Sequence, residues 1–220
     1  MSKLRLLFVK EGPASYISNL DLLRTVQRAF PRTELDIRHS QGFHPHPIIS
    51  IVLPLPVGQS SDCELLDFEV TQETDGAGIA EKLNGGLPEG LTILDCYEAR
   101  RPVRELTYLQ ADMELDYDRG VPHGAVQALE ELFHRQELLI EKRTKRKQLA
   151  QVDIAPMIRD ISFTQGENVL RAAVTVQAQN PGLNPQLLEK AIARYLPELT
   201  PDFVRVRRRE LLDADGQVFR

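Results

Sequence analysis

The sequence is poor in cysteine: Cys63 and Cys96 are the only two among its 220 residues. Two thiols are too few for a disulfide framework, and no CxxC spacing occurs. Both are expected to be semi-buried. A CxxxCxxC-type iron–sulfur cluster needs three cysteines in one run, so this chain holds no such cluster itself. No apolar run approaches the roughly 18 residues of a membrane-spanning helix. The start, from Met1 to Gly12, is basic, but its apolar stretch Leu6–Val9 is too short for a signal peptide and lacks a small-residue cleavage site, so a cytoplasmic location is expected. The Gly12-Pro13 turn carries neither GxGxxG nor GxxxxGK[ST], which excludes the common nucleotide cradles. No low-complexity segment and no repeat visible in the residues themselves are present.

What remains is ordinary globular composition, 42% hydrophobic and 27% charged. The length suits one large domain or two small ones with a real core. A net charge of −5 argues against indiscriminate coating of nucleic acid. The positive charge is clustered, however, in Lys142, Arg143, Lys145, Arg146 and Lys147 and again in Arg205, Arg207, Arg208 and Arg209. Local patches matter more than totals when a partner is a polyanion.

Hydrophobic periodicity orders the elements. Leu4–Val9 reads as a strand. Ser18, three residues before Asp21, opens an amphipathic helix over Asn19–Phe30 that Pro31 stops. Strand alternation follows at Leu35, Ile37 and His39, where His39 reads as a packed core residue. Ile48–Leu53 reads as a buried strand, Cys63–Val70 as another, Gly76–Leu83 as a helix and Leu91–Tyr97 as a strand. The second half repeats the order more weakly. Tyr108–Tyr117 is a strand, Gly124–His134 a helix, Leu138–Glu141 a strand running into the basic block, Val169–Val176 a strand, Asn184–Leu196 a helix and Phe203–Arg207 a strand. The expected class is α+β, with two ferredoxin-like (split βαβ, βαββαβ) units in tandem over residues 1–100 and 104–220, joined near Arg100-Arg-Pro-Val.

Ser40–Gly58, SQGFHPHPIISIVLPLPVG, is the densest stretch. Gly42 tolerates positive φ, while Pro45 and Pro47 fix their own φ and push His44 and His46 to extended conformations. A stiff loop presenting Gln41, Phe43, His44 and His46 suits recognition. His39, His44 and His46 fall short of the four-ligand or three-ligand sets that zinc needs, so no metal and no cofactor is expected. A metal-independent nuclease would require a base, His44 or His46, beside Tyr16, Lys10 or Arg38.

The run Tyr16-Ile-Ser-Asn-Leu-Asp-Leu-Leu-Arg24, Arg28, Ser40-Gln-Gly-Phe-His-Pro-His-Pro47, Leu53-Pro-Leu-Pro-Val-Gly58, Glu64-Leu-Leu-Asp67, Arg143-Thr-Lys-Arg-Lys147 and Val152-Asp-Ile-Ala-Pro156 resembles the radical SAM-linked protein family. Members are fused behind a radical S-adenosylmethionine enzyme or encoded beside one. The resemblance spans nearly the whole chain. It implies a radical SAM protein as partner and an RNA- or ribosome-related task, with no activity to transfer. Asn19 stands where relatives commonly have histidine, and Pro31 interrupts a stretch where relatives continue with arginine. Arg24 and Arg28 lie in the matched motif and are anion-contact candidates. A looser similarity at the level of fold is to tandem ferredoxin-like endoribonucleases that process CRISPR repeat RNA.

These readings give three functions: a non-catalytic accessory protein that binds an RNA or ribonucleoprotein substrate, a metal-independent endoribonuclease, or a docking subunit without RNA contact. The RNA-contact candidates are Arg24, Arg28, Gln41, Phe43, His44, His46, Lys142, Arg143, Lys145, Arg146 and Lys147. Five of the six residues from 142 to 147 are basic and none is acidic, so the block is expected at an exposed loop or hairpin tip. Neutralising all five together is expected to weaken RNA binding and to flatten its salt dependence, by about 0.7 log units for each single-strand phosphate that the variant no longer touches. An unchanged slope in a salt titration would make the block a protein-docking surface instead.

Overall fold

A computed structural model describes residues 2–143 and 149–220. The chain divides into two compact units, Met1–Glu105 with Arg220, and Leu106–Phe219. It is an α+β protein in which short helices cover antiparallel strands.

The first unit begins with strand β1 (Ser2–Lys10), followed by helix α1 (Asn19–Ala29). Ser18 caps α1: its hydroxyl accepts the Asp21 N–H at 3.2 Å and donates to the Asp21 carboxylate at 2.7 Å. The bond to the carboxylate, ahead of the attraction of Arg24 and Arg28, holds the Asp21 carboxyl below its ordinary value. Leu22, Val26 and Ala29 recur at helical spacing and are buried. The helix ends at Ala29, and Phe30–Thr33 continue as a tight 3-10 turn around Pro31.

Strands β2 (Ile49–Ile51) and β3 (Ser60–Val70), helix α2 (Ile79–Asn84) and strand β4 (Leu91–Glu98) complete the unit. The strand order is β4-β1-β3-β2, and every neighbouring pair is antiparallel. Leu4, Leu6 and Phe8 from β1 and Leu66, Phe68 and Val70 from β3 pack with α1 and α2 residues in one core. Gly90 brings the end of β1 against the start of β4. Its carbonyl accepts the Glu11 N–H at 2.9 Å, its φ is +85°, and a Cβ there would lie 2.2 Å from the Glu11 oxygen. Only glycine fits such a place.

Two expected strands come out differently. Leu35–His39 forms no strand; Ile37 and His39 make single bridges to Val70 and Pro47. Glu34 just before them is left-handed, with φ 59°, which turns the chain out of strand geometry. His39 is exposed rather than packed, with Nδ1 2.7 Å from the Ile37 carbonyl. Ile48–Leu53 is not a buried strand but the three-residue edge strand β2, with Ser50 exposed and Ile49 and Ile51 half-buried against the core. An edge strand with one covered face has no need of continuous pairing.

The second unit contains strand β5 (Tyr108–Asp116), helix α3 (Ala125–Phe133), strands β6 (Leu139–Arg143) and β7 (Leu149–Asp153), strands β8 (Ile158–Gln165) and β9 (Val169–Gln177), helix α4 (Leu188–Tyr195) and strand β10 (Phe203–Leu212). Its sheet order is β10-β5-β9-β8, again antiparallel throughout, while β6 and β7 form a separate hairpin. Leu109, Ala111, Met113 and Leu115 alternate inward along β5. Phe133 of α3 stacks on Phe163 of β8 at 5.9 Å between ring centres. The expected helix from Asn184 is α only from Leu188. Asn184 caps a 3-10 turn over Pro185–Leu187, its side chain accepting the Gln186 N–H.

The least expected feature is charge in the interior. Arg5 on β1 is 0% exposed and Asp67, its partner across β3, 2%. The guanidinium and carboxylate meet in a two-point contact, Nε–Oδ1 2.6 Å and Nη2–Oδ2 3.0 Å. Lys3 brings a second cation to Asp67 at 2.9 Å, and Arg5 also donates to the Arg101 carbonyl at 3.1 Å. Removing one partner of a buried pair strands the other charge. Asp67→Ala is therefore expected to cost about 3–5 kcal/mol in urea unfolding. Arg5→Met combined with Asp67→Leu is expected to recover much of that loss. A double variant as unstable as Asp67→Ala would show that the pair's role is not its charge balance.

Candidate functional site

The residues from Ile37 to Ile48 leave the sheet and return to it as one closed loop. Arg38 N–H donates to the Glu69 carbonyl at 2.8 Å, Ile48 N–H to the Arg38 carbonyl at 2.8 Å, and Glu69 N–H to the Ile48 carbonyl at 3.3 Å. The Arg38 guanidinium also pairs with the Glu69 carboxylate. Both ends of the loop are thus fastened to each other and to β3. Pro47 lacks an N–H, so the next rung up uses Ser40 instead. Ser40 N–H donates to the His46 carbonyl at 2.8 Å, and the Ser40 hydroxyl accepts the His46 N–H at 3.2 Å. The same hydroxyl lies 2.8 Å from His46 Nδ1. This clasp fixes the His46 ring against its own loop.

Beyond the clasp Gln41, Gly42, Phe43, His44 and Pro45 are all exposed. Gly42 has φ 145°, a conformation that side-chain-bearing residues avoid. The Phe43 ring is fully exposed, at 102%. An unburied phenylalanine on a closed, fastened loop is an aromatic surface offered outward, since burial would have stabilised it by about 2 kcal/mol.

Arg24 and Arg28 are exposed on α1. Arg24 is paired with Asp21 at 3.3 Å. Arg28 lies in the last turn, just before Phe30, whose ring sits 4.9 Å from Phe68. Phe68 in turn pairs with Ile49, the first residue of β2. The C-terminal end of α1 and the base of the loop therefore meet at one point of the sheet, and Arg28 is the arginine nearer to it. Lys142 is exposed on β6 in the second unit, and Arg143 ends that strand. Lys145, Arg146 and Lys147 lie outside the described residues.

Two members of the acid–base set, Lys10 and Tyr16, lie away from the loop, whereas Arg38 stands at its base with its guanidinium paired to Glu69. Lys10 is buried, its ammonium donating to the Ser15 and Ile17 carbonyls at 3.4 and 3.2 Å. It pairs with Ser61, whereas Ser2 pairs with Val70 beside the loop base. Eight residue steps along β1 put Lys10 about 26 Å from that end. Tyr16 is exposed at the end of the turn after β1, on Lys10's side. Among the described residues no three His, Cys, Asp or Glu side chains converge as metal ligands.

Two arginines of the second cluster, Arg205 and Arg209, are paired with carboxylates of their own sheet. Arg205 sits opposite Glu114 and Arg207 opposite Asp112 in the β10–β5 register. Arg205 contacts Glu114 at 3.0 Å and Asp116 at 2.9 Å, Arg209 contacts Asp112 at 2.7 Å, and Arg171 of β9 contacts Glu114 at 3.4 Å. The Arg205 hydrogen bond is the main reason that the Glu114 carboxyl is held below its ordinary value. Cross-strand pairing of this kind is a sheet contact. A further cleft of about 1110 Å³ in the first unit, lined by Tyr97, Arg100, Arg101, Glu73, Asp75 and Glu98, is likewise mixed in charge. Arg100 pairs with Glu98 at 2.8 Å and Arg101 with Glu105 at 2.9 Å.

A family model described as "Uncharacterized protein conserved in bacteria (DUF2344)" matches residues 3–185. The chain belongs to that family. No curated protein matches it. Among solved structures it is similar to a chain of the "Crystal Structure of a Cbf5-Nop10-Gar1 Complex", at 11% identity and TM-score 0.49 over 94% of this chain and 48% of that one. It thus spans about half the length of that neighbour. It is also similar to the "Crystal Structure of an Unknown Protein from Galdieria sulphuraria", at 12% identity and TM-score 0.28 over 94% and 98% of the two chains. Likenesses at this level say nothing about ligand or activity. Among the described residues of this DUF2344 member, no helix is long and apolar enough to cross a membrane.

Both cysteines are buried. Burial, reinforced by Asp95 and Asp75, pushes the Cys96 thiol from 9.0 up to about 12. Burial also pushes the Tyr97 hydroxyl, and that of Tyr117 with help from Asp202, from 10.0 up to about 12. All three are neutral acids whose folded value exceeds the unfolded one. Their stabilisation is complete below the unfolded values and is lost as pH rises towards about 12. Urea midpoints are expected to begin falling above about pH 9 in the wild type, and to fall less steeply between about pH 9 and pH 10 in Cys96→Ala. Parallel curves for the two proteins would contradict the burial of this thiol.

Proposed function

We propose that this chain is a non-catalytic accessory protein of a separate radical SAM enzyme, and that it binds an RNA or ribonucleoprotein substrate for that enzyme in the cytoplasm. Each unit is read as a ferredoxin-like split-βαβ unit. In both, four strands numbered by their place in the chain lie in one antiparallel sheet, once the β6–β7 hairpin is set aside as an insertion. The order is 4-1-3-2 in each unit. The radical SAM partner rests on the sequence resemblance. Buried Cys63 and Cys96 give this chain no cluster ligands of its own.

The observation that carries the binding reading is the fastened loop with its bare aromatic ring. Single-stranded RNA is recognised by splaying its bases onto aromatic side chains and hydrogen-bonding their edges. Phe43 supplies the stacking face, Gln41, His44 and His46 supply polar groups, and Arg28 a cation at the base. The loop is already ordered by the Ser40–His46 clasp, so little conformational entropy is lost on binding.

Two measurements test the reading. A radical SAM protein is expected to co-purify with this chain from cells that express both at native levels; recovery of the chain alone would count against the partnership. The variant Phe43→Ala/His44→Ala, which leaves the Ser40–His46 clasp intact, is expected to stay within about 0.5 kcal/mol of wild-type stability, as exposed substitutions do. It is expected to lose RNA binding by about tenfold or more, corresponding to about 1–3 kcal/mol for a stacked base. Unchanged binding with a large fall in melting temperature would make the loop a structural element only.

A further inference from the structure

Exposed cations of the second unit differ in how they are matched. Those on β9 and β10, namely Arg171, Arg205 and Arg209, are each held by a carboxylate on β5. Those around α4 are not. Lys190 and Arg194 stand one turn apart on α4 and are exposed, as is Arg135 after α3. Among the described residues none of the three has a carboxylate within ion-pair distance. The Lys190 ammonium rests on the Glu141 backbone carbonyl at 3.4 Å. Arg135 and Arg194 both lie over the ring of Tyr195, at 5.4 and 5.5 Å from its centre. The Tyr195 hydroxyl accepts the Leu139 N–H at 3.1 Å and lies 3.3 Å from the Leu139 carbonyl, to which it donates. One tyrosine therefore pins the base of the β6–β7 hairpin to α4 and orients two guanidiniums. Between hairpin and helix lies an open groove of about 650 Å³, lined by Lys190, Arg194, Ala193, Leu149 and a single acid, Glu141.

A stability argument does not account for this arrangement. The helix dipole favours Arg194 in the last turn, but like charges four residues apart repel, and Arg135 is outside the helix. Bringing three cations together around a single acid, Glu141, is unfavourable until an anion arrives. Guanidiniums held on an aromatic ring keep their donor edges free for phosphate oxygens. Leu149, a large apolar side chain exposed on the groove wall, offers a surface for an unpaired base.

We propose that the groove between α4 and the β6–β7 hairpin binds the sugar–phosphate backbone of single-stranded RNA through Arg135, Lys190 and Arg194. The proposal rests on the RNA reading above and adds a further point of attachment in the second unit.

The test uses the full chain and a fluorescein-labelled oligouridylate titrated at several salt concentrations. The combined variant Arg135→Gln/Lys190→Gln/Arg194→Gln keeps residues 142–147 intact. At about 0.15 M salt it is expected to bind about fourfold more weakly for each phosphate it no longer reaches, about fiftyfold for three. The plot of log affinity against log salt is expected to flatten by about 2. Arg135→Lys/Arg194→Lys keeps the charge and is expected to keep the slope, which separates lost charge from misfolding. If wild type binds the oligonucleotide and the Gln variant matches it in affinity and slope, the groove is overturned while the RNA reading stands. If wild type binds no oligouridylate even at low salt, the RNA reading fails and the groove with it. Loss of polyglutamate binding with unchanged oligouridylate binding would overturn the groove in favour of an acidic protein partner.

Discussion

The buried contact between Arg5 and Asp67 fixes the geometry on which the first unit depends. The two residues face each other across β1 and β3, and neither charge reaches water. A slip of one residue would place Asp67 opposite an apolar neighbour and send every side chain of β1 to the wrong face. Apolar packing alone penalises such a slip; two unpaired buried charges penalise it far more. Asp67 also stands opposite Ser50 on the other side of β3. The register that the ion pair enforces is therefore passed to β2, puts Ile49 beside Phe68, and anchors the loop base at Glu69 and Val70. A surface feature is positioned by an interior charge pair.

The regular elements are legible in the sequence wherever one period dominates. Leu22, Val26 and Ala29 mark α1, and the Ser18 cap marks its start. The β5 alternation of Leu109, Ala111, Met113 and Leu115 places that strand to within a residue. Periodicity misleads where tertiary contacts decide. Leu35, Ile37 and His39 alternate like a strand, but the left-handed turn at Glu34 and the exposed His39 belong to a loop whose rungs are made with β3 and with itself. The run after Pro47 has the apolar character of a buried strand, whereas its edge position leaves it only half covered. Arg5 and Asp67 give no sign of burial, since each sits in an ordinary charge alternation. Only the pairing of β1 with β3 reveals that they meet. The β6–β7 hairpin is half visible, as a strand running into the basic block, because its partner Leu149–Asp153 is too short and polar to stand out.

The candidate loop is legible in a different sense. Gly42, Pro45 and Pro47 announce stiffness, and an exposed Phe43 follows from a loop that cannot fold its ring back. The clasp between Ser40 and His46 is not legible, because it needs the two sides of the loop brought together by β3. It changes the role available to His46. With its backbone donor and one ring nitrogen engaged by Ser40, His46 orients the loop, and His44 is left as the imidazole of the tip.

Charge in the second unit shows why a basic run in a sequence is a weak guide to a binding surface. Arg205, Arg207 and Arg209 alternate along β10 as conspicuously as any nucleic-acid patch. The acidic residues of β5, Asp112, Glu114 and Asp116, alternate with the same period in the strand that β10 pairs with. Antiparallel pairing superposes the two patterns, so the arginines hold a sheet together. Arg135, Lys190 and Arg194 are scattered along the chain and form no pattern in it. The fold gathers them around one tyrosine and one hairpin, with Glu141 the single acid of the groove. A cation is available to an external anion only when its own chain has left it unmatched, and that condition is met around Tyr195 and not along β10.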